Sequence, residues 1–160
     1  MNLLDTDPVA TALKAEHLCD FAITFASVRT IATPAATRII ATIAQGTVEG
    51  PRLRGGFLAG GGDWITLGTD GIARMDVRAT ILTHDGELVY VTSTGRAGLS
   101  DVAINQLMAG ETIAWDQMHA RSAPLFETGA DRYAWLNGTI TMAINELSLN
   151  HVNYRIYAIR

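Results

Sequence analysis

From Gly46 to Gly95 apolar and polar residues alternate, and glycine-bearing turns interrupt the runs at short intervals. A period of two is the signature of strands, so the stretch predicts a meander of four. Asp70-Gly71 and Asp85-Gly86 are hairpin signals within it. A two-residue turn at Asp85-Gly86 sets Leu82 opposite Val89 and Arg78 opposite Ser93. One face then carries Asp76, Arg78, Thr80, Leu82, Val89, Val91 and Ser93. The other carries Met75, Val77, Ala79, Ile81, Leu88, Tyr90 and Thr92. The Asp76–Arg78 face is expected to line the lumen, because the opposite face is apolar enough to be covered by an arm, a helix or a partner.

The flanking chain extends the pattern. Asp7-Pro8 opens a short helical reading through Glu16, taken as an arm over residues 1–17. Strands follow at Leu18 to Val28 and Arg38 to Val48, broken by Thr33-Pro34-Ala35-Ala36-Thr37. Arg52 to Leu58 reads as a strand in which Gly55-Gly56 marks a bulge or bend. The run Gly60-Gly61-Gly62-Asp63 precedes a strand rather than a helix and lacks a Lys-Ser or Lys-Thr pair, so it reads as a tight turn and not a phosphate cradle. Ser100 caps a helix that ends at Gly110, with Ile104, Leu107 and Met108 as its stripe. Strands are expected at Trp115 to Phe126, Tyr133 to Glu146 and His151 to Ile159. The predicted fold is mainly all-β: one domain of 160 residues, its barrel over 18–160. That barrel is closed or nearly closed, antiparallel and up-and-down, with about eight strands and one or two short helices.

Composition narrows the function classes. A formal charge of −4 argues against a nucleic-acid or anionic-membrane partner. Hydrophobic residues make up 48%, but no apolar run approaches the roughly 20 residues of a membrane helix. The acids of the first residues do not suit a signal peptide, and the single Cys19 allows no internal disulfide, which together lead to an expected cytoplasmic location. His17, His84, His119 and His151 show no ligand spacing, so no metal is expected. No dinucleotide fingerprint or GxSxG elbow occurs, and no cofactor is expected. Ile39–Ala44 and Val77–Ile81 are apolar on both faces, which predicts a homo-oligomer, most simply a dimer.

Several motifs stand in an order that resembles one bacterial family: Glu49-Gly50-Pro51-Arg52-Leu53, Gly60-Gly61-Gly62-Asp63-Trp64, Asp76-x-Arg78, and Asp85-Gly86 followed by Val89-Tyr90. A second block runs Arg121-Ser122-Ala123-Pro124-Leu125-Phe126-Glu127-Thr128-Gly129, then Tyr133-Ala134-Trp135-Leu136-Asn137. The chain from Leu18 onward is similar to domain of unknown function 3237, small β-barrels with little assigned chemistry. The resemblance implies a barrel and is nearly silent on substrate. It also implies aromatic residues ahead of the Arg121 run and a threonine within it. Here His119-Ala120 and Ser122 stand instead.

The candidate catalytic set is Asp76, Arg78, His119 and Arg121. Either arginine would steady a carbonyl, enolate or phenolate oxygen, and Asp76 or His119 would move a proton. The competing reading makes Asp76–Arg78 a structural ion pair and His119 a surface residue. Trp64, Tyr90, Glu127, Tyr133 and Trp135 are candidate substrate contacts, against core or rim packing. The expected function is cofactor-independent proton transfer on a small, largely apolar carbonyl or phenolic compound bound in the barrel. An isomerase, cyclase, hydratase or lyase would fit. The alternatives are a non-catalytic small-molecule-binding barrel and a plugged structural one.

Overall fold

Strand periodicity becomes a closed barrel. A computed structural model describes residues 13–160. Its strands are β1 (Ala15–Ala32), β2 (Thr37–Glu49), β3 (Gly55–Phe57), β4 (Gly62–Leu67), β5 (Ile72–Thr83), β6 (Leu88–Gly98), β7 (His119–Glu127), β8 (Thr141–Leu147) and β9 (His151–Ile159). Apart from β3 and β4, sequence neighbours pair antiparallel around the wall, and β1 pairs with both β2 and β9, which removes the free edge. β3 and β4 both lie between β2 and β5, so they form one broken stave and the barrel has eight. The break falls at the glycine run, where Gly60 takes φ +100° in a turn. The predicted arm helix lies outside the described residues as far as residue 12; beyond that, Leu13 and Lys14 are not helical and Ala15 and Glu16 are already strand.

The β5–β6 hairpin departs from the expected register by one residue. Ile81 faces Val89, Leu82 faces Leu88 and Arg78 faces Thr92. The connection is the three-residue loop His84-Asp85-Gly86, closed by the Thr83 amide donating to the Glu87 carbonyl at 2.8 Å, with Gly86 at φ +91°. Thr83 fixes it: its hydroxyl accepts the Glu87 amide at 2.8 Å and donates to Asp85 at 2.7 Å. A one-residue slip exchanges the faces of one strand relative to its partner. Met75, Val77, Ala79 and Ile81 therefore point inward together with Val89, Val91 and Ser93, while Asp76 and Arg78 point outward.

The end of the barrel near Cys19, Val48, Ile81 and Ile156 is packed solid. Phe21 sits edge-on to Phe57 with ring centroids 4.9 Å apart, and to Phe126 at 6.3 Å. The strand expected from Tyr133 does not open there; the chain forms instead a 3-10 segment, Asp131–Gly138. It closes this end with the buried side chains of Tyr133 and Leu136. The opposite end carries the one α-helix among the described residues, α1 (Asp101–Met108), capped as expected by Ser100, whose hydroxyl accepts the Ala103 amide. Ala103, with Leu107 packed beside it, faces the barrel, whereas Ile104 and Met108 of the predicted stripe are exposed.

Candidate functional site

Between the packed floor and α1 lies a cavity of about 360 Å³. Its wall is almost wholly apolar, built from inward residues such as Phe21, Ile43, Val77 and Val91, and its lining reaches Met108 and Leu149 at the open end. The lumen is therefore not plugged. Besides Thr30 and Ser148 nearer its ends, the wall is interrupted by polar side chains from five strands: Asp63 on β4, Ser93 on β6, Ser122 on β7, Asn145 on β8 and Tyr154 on β9.

The registers explain how five strands deliver them. Asp63 lies opposite Val77, and Val77 opposite Ser93, so Asp63 and Ser93 flank one apolar residue in a single row. Asn145 lies opposite Tyr154. Ser122 lies opposite Ala143, one inward position from Asn145 along β8. The oxygens Ser93 Oγ, Ser122 Oγ and Asn145 Oδ1 are buried without a hydrogen-bond partner. A buried unpartnered polar atom costs on the order of 1–3 kcal/mol, so three of them in one apolar lumen mark places for a ligand's polar groups.

Asp63 is the acid of the site. The β4–β5 ladder holds at Asp63/Val77 and again at Thr66/Arg74 but is interrupted between them. In the gap the Asp63 carboxylate accepts the amide of Asp76 at 2.9 Å. Burial raises the Asp63 carboxyl from 3.8 to about 6; the Asp76 amide opposes that rise and the Asp76 charge adds to it. Tyr154 is pushed above the ordinary phenol value by burial first and then by the charge of Asp63. Cys19 is buried in the floor, its thiol likewise raised by burial, which fits a packing role.

The residues singled out from sequence lie elsewhere. Asp76 and Arg78 form an ion pair on the outer wall, both about half exposed. His119 and Arg121 also point outward, since Ala120 and Ser122 hold the inward positions of β7. Trp64 and Tyr90 are exposed outside at 41% and 40%, and Glu127 is exposed beside Tyr90. Tyr133 is buried, but in the 3-10 plug, where its hydroxyl donates to Asp85 at 2.8 Å. Trp135 packs against the floor beneath the Arg52 guanidinium, 3.8 Å from its ring centroid. None of these is brought into the cavity. The residues that are had a weak signal: Asn145 between Ala143 and Leu147, and Ser122 between Ala120 and Pro124, are polar interruptions of an inward apolar alternation.

Among the described residues no group of three or more His, Cys, Asp and Glu side chains is placed to hold a metal ion. Nor, among them, is any helix long and apolar enough to cross a membrane.

The family model described as protein of unknown function, DUF3237, matches residues 13–159. The chain belongs to this family. A UPF0311 protein of Clostridium acetobutylicum is 27% identical to this DUF3237 barrel over 122 residues, covering 76% of the chain and 77% of the relative. A crystal structure of a conserved protein of unknown function from Rhodopseudomonas palustris shares the fold with a TM-score of 0.86 at 21% identity, covering 97% of this chain and 100% of that one. A hydroalkoxylation enzyme, phnH of Penicillium herquei, is 28% identical over 120 residues, covering 75% of this chain and 64% of the enzyme. One relative of this DUF3237 barrel thus carries a named chemistry.

Proposed function

We propose that the lumen is an acid–base site. It binds a small, largely apolar compound bearing a hydroxyl or carbonyl oxygen and moves a proton on it, with Asp63 as the proton carrier. The reaction classes are those that need a proton given and a proton taken but no redox step: isomerisation, cyclisation, hydration or their reverse. The observation that carries this reading is a carboxyl group with pKa about 6 facing an apolar cavity. A group poised near the working pH serves as acid or base with little energetic penalty in either direction. The relative named for hydroalkoxylation supports the reading.

Addition of a hydroxyl across a carbon–carbon double bond illustrates the demands. The oxygen bonds to one alkene carbon and loses its proton, while the other carbon gains one, so the net proton count is unchanged. Asp63 as carboxylate accepts the hydroxyl proton, or as neutral acid protonates carbon. Tyr154, kept protonated by its raised pKa, donates a hydrogen bond to developing negative charge on oxygen. Asn145 Oδ1, Ser93 Oγ and Ser122 Oγ orient the remaining oxygens. The apolar wall excludes water and strengthens each of these interactions.

The test screens phenols and alcohols with a pendant alkene, enolisable ketones and lactones, scoring an isomer or hydrate by mass and NMR. With a substrate found, kcat/KM should show an ionisation near pH 6 that disappears in Asp63→Asn together with turnover. Retained turnover in Asp63→Asn would overturn the assignment. Tight binding of such compounds with no conversion of any would identify a binding barrel instead.

A further inference from the structure

The outer wall carries a second arrangement that the lumen does not use. Arg74 on β5 lies directly opposite Arg96 on β6, and Arg96 directly opposite Arg121 on β7. On adjacent strands about 4.8 Å apart, three guanidinium stems thus stand in one row about 10 Å long. All three face outward, because Met75, Gly95 and Ser122 hold neighbouring inward positions. Arg38 continues the line across β4: it is opposite neither acid nor arginine but bonds Thr66, which faces Arg74.

Like charges directly opposite on a sheet are destabilising. The chain as a whole is acidic at −4, so excess arginine does not account for the row. Of the eight other arginines, five have carboxylates: Arg54 with Glu49, Arg78 with Asp76, Arg132 with Asp85, Arg155 with Asp20 and Arg160 with Glu16; Arg29, Arg38 and Arg52 have none among the described residues, but no two of those three stand opposite each other. Within the row Arg74 pairs with Asp70 at 2.6 Å. Arg96 and Arg121 have no such pairing among the described residues. Each donates to a carbonyl of its own strand, Arg96 to Gly95 at 2.7 Å and Arg121 to Ala120 at 2.6 Å. Asp76, diagonal to Arg96, is already committed to Arg78.

We infer that the Arg74–Arg96–Arg121 row is a binding site for a phosphoryl group of a small molecule, either free phosphate or diphosphate or a phosphate ester. Guanidinium groups bind phosphate oxygens in pairs, and a row of three suits a group with several charged oxygens better than a single carboxylate. The ligand neutralises the repulsion that the row carries when empty. The site stands on the outer wall and does not depend on the lumen chemistry.

Calorimetry on the full chain at low ionic strength, with inorganic pyrophosphate and with phenyl phosphate as probes, tests the site. Saturable one-to-one binding of either probe is expected. Arg96→Gln and Arg121→Gln should each weaken it about tenfold, the loss of one charge-assisted contact. Arg54→Gln, an exposed arginine at the opposite end of the barrel, should leave it unchanged. Tighter binding of phenyl phosphate identifies an ester as the ligand, and tighter binding of pyrophosphate the free anion. No saturable binding by the unmodified chain, or equal weakening in Arg54→Gln, overturns the proposal. Melting without anion is the second measurement: Arg96→Gln should melt at or above the unmodified chain, because repulsion is relieved. A clear fall in Tm would make the row structural and overturn the inference. So would a change of oligomeric state in Arg121→Gln without a change in anion binding.

Discussion

The carboxylate of Asp63 accepts the backbone amide of Asp76 at 2.9 Å, across a gap in the β4–β5 ladder. Asp76 thus serves the lumen through its main chain while its side chain pairs with Arg78 outside. The hydrogen bond opposes the burial that raises the Asp63 carboxyl, and burial wins, leaving it at about 6.

A stability prediction follows for Asp63→Asn. A carboxyl raised in the folded state binds its proton more tightly there. Its stabilising effect is therefore full below the ordinary 3.8 and lost as pH rises through about 6. Asparagine keeps an oxygen for the Asp76 amide and has no charge to bury. The stability of Asp63→Asn relative to the unmodified chain should improve by about 2–3 kcal/mol between pH 4 and pH 7, measured by urea unfolding. A difference that stays flat over that range would remove the buried-acid assignment.

Ser122 has a buried hydroxyl without a partner. Ser122→Ala should therefore stabilise the unliganded barrel by about 1 kcal/mol, because it removes an unsatisfied polar atom and little volume. The same change should weaken binding of any lumen ligand that fills this position. Thermal melting with and without ligand separates the two effects, and a fall in Tm without ligand would contradict the expectation.

The closed end depends on Asp85, which gathers Thr83, Tyr133 and Arg132. The Thr83 and Tyr133 hydroxyls hold its carboxyl down to about 2. The sign is opposite to that of Asp63: this contribution is full above the ordinary 3.8 and lost as pH falls through about 2. Tyr133→Phe should lower Tm at pH 7, and the gap to the unmodified chain should close under strong acid. A gap unchanged down to pH 2 would show that ring packing, not the hydrogen bond, is responsible.

Gly95 faces the lumen where three strands crowd. A Cβ there would lie 2.6 Å from the Arg121 carbonyl oxygen and 2.7 Å from Ser122 Cβ. Gly95→Ala should cost about 1–3 kcal/mol through displacement of β7, read as a lower urea midpoint. Gly98→Ala is the control, since its Cβ would meet only the Ile72 side chain at 3.6 Å.

Alternation, turn residues and capping by themselves determined the barrel, the break at Thr33 to Ala36, the turn at Gly60 and the helix beginning after Ser100. These are local signals, and each has a local cause. The assignment of faces is not local. A period of two is unchanged when inside and outside are exchanged, and β5 carries apolar residues on one face and a salt bridge on the other either way. The Thr83 side chain chose a three-residue loop over a two-residue one, and closure of the barrel then put Met75, Val77 and Ala79 inward with Ser93. The same closure turned Asp76, Arg78, His119 and Arg121 outward. The segment from Tyr133 reads as strand by composition, yet it became a 3-10 plug because Tyr133 finds Asp85 and Leu136 finds the floor. Asp63 and Tyr154 lie 91 positions apart by number and share no sequence pattern. Only the closed wall sets a carboxyl and a phenol in one apolar cavity, where burial shifts both.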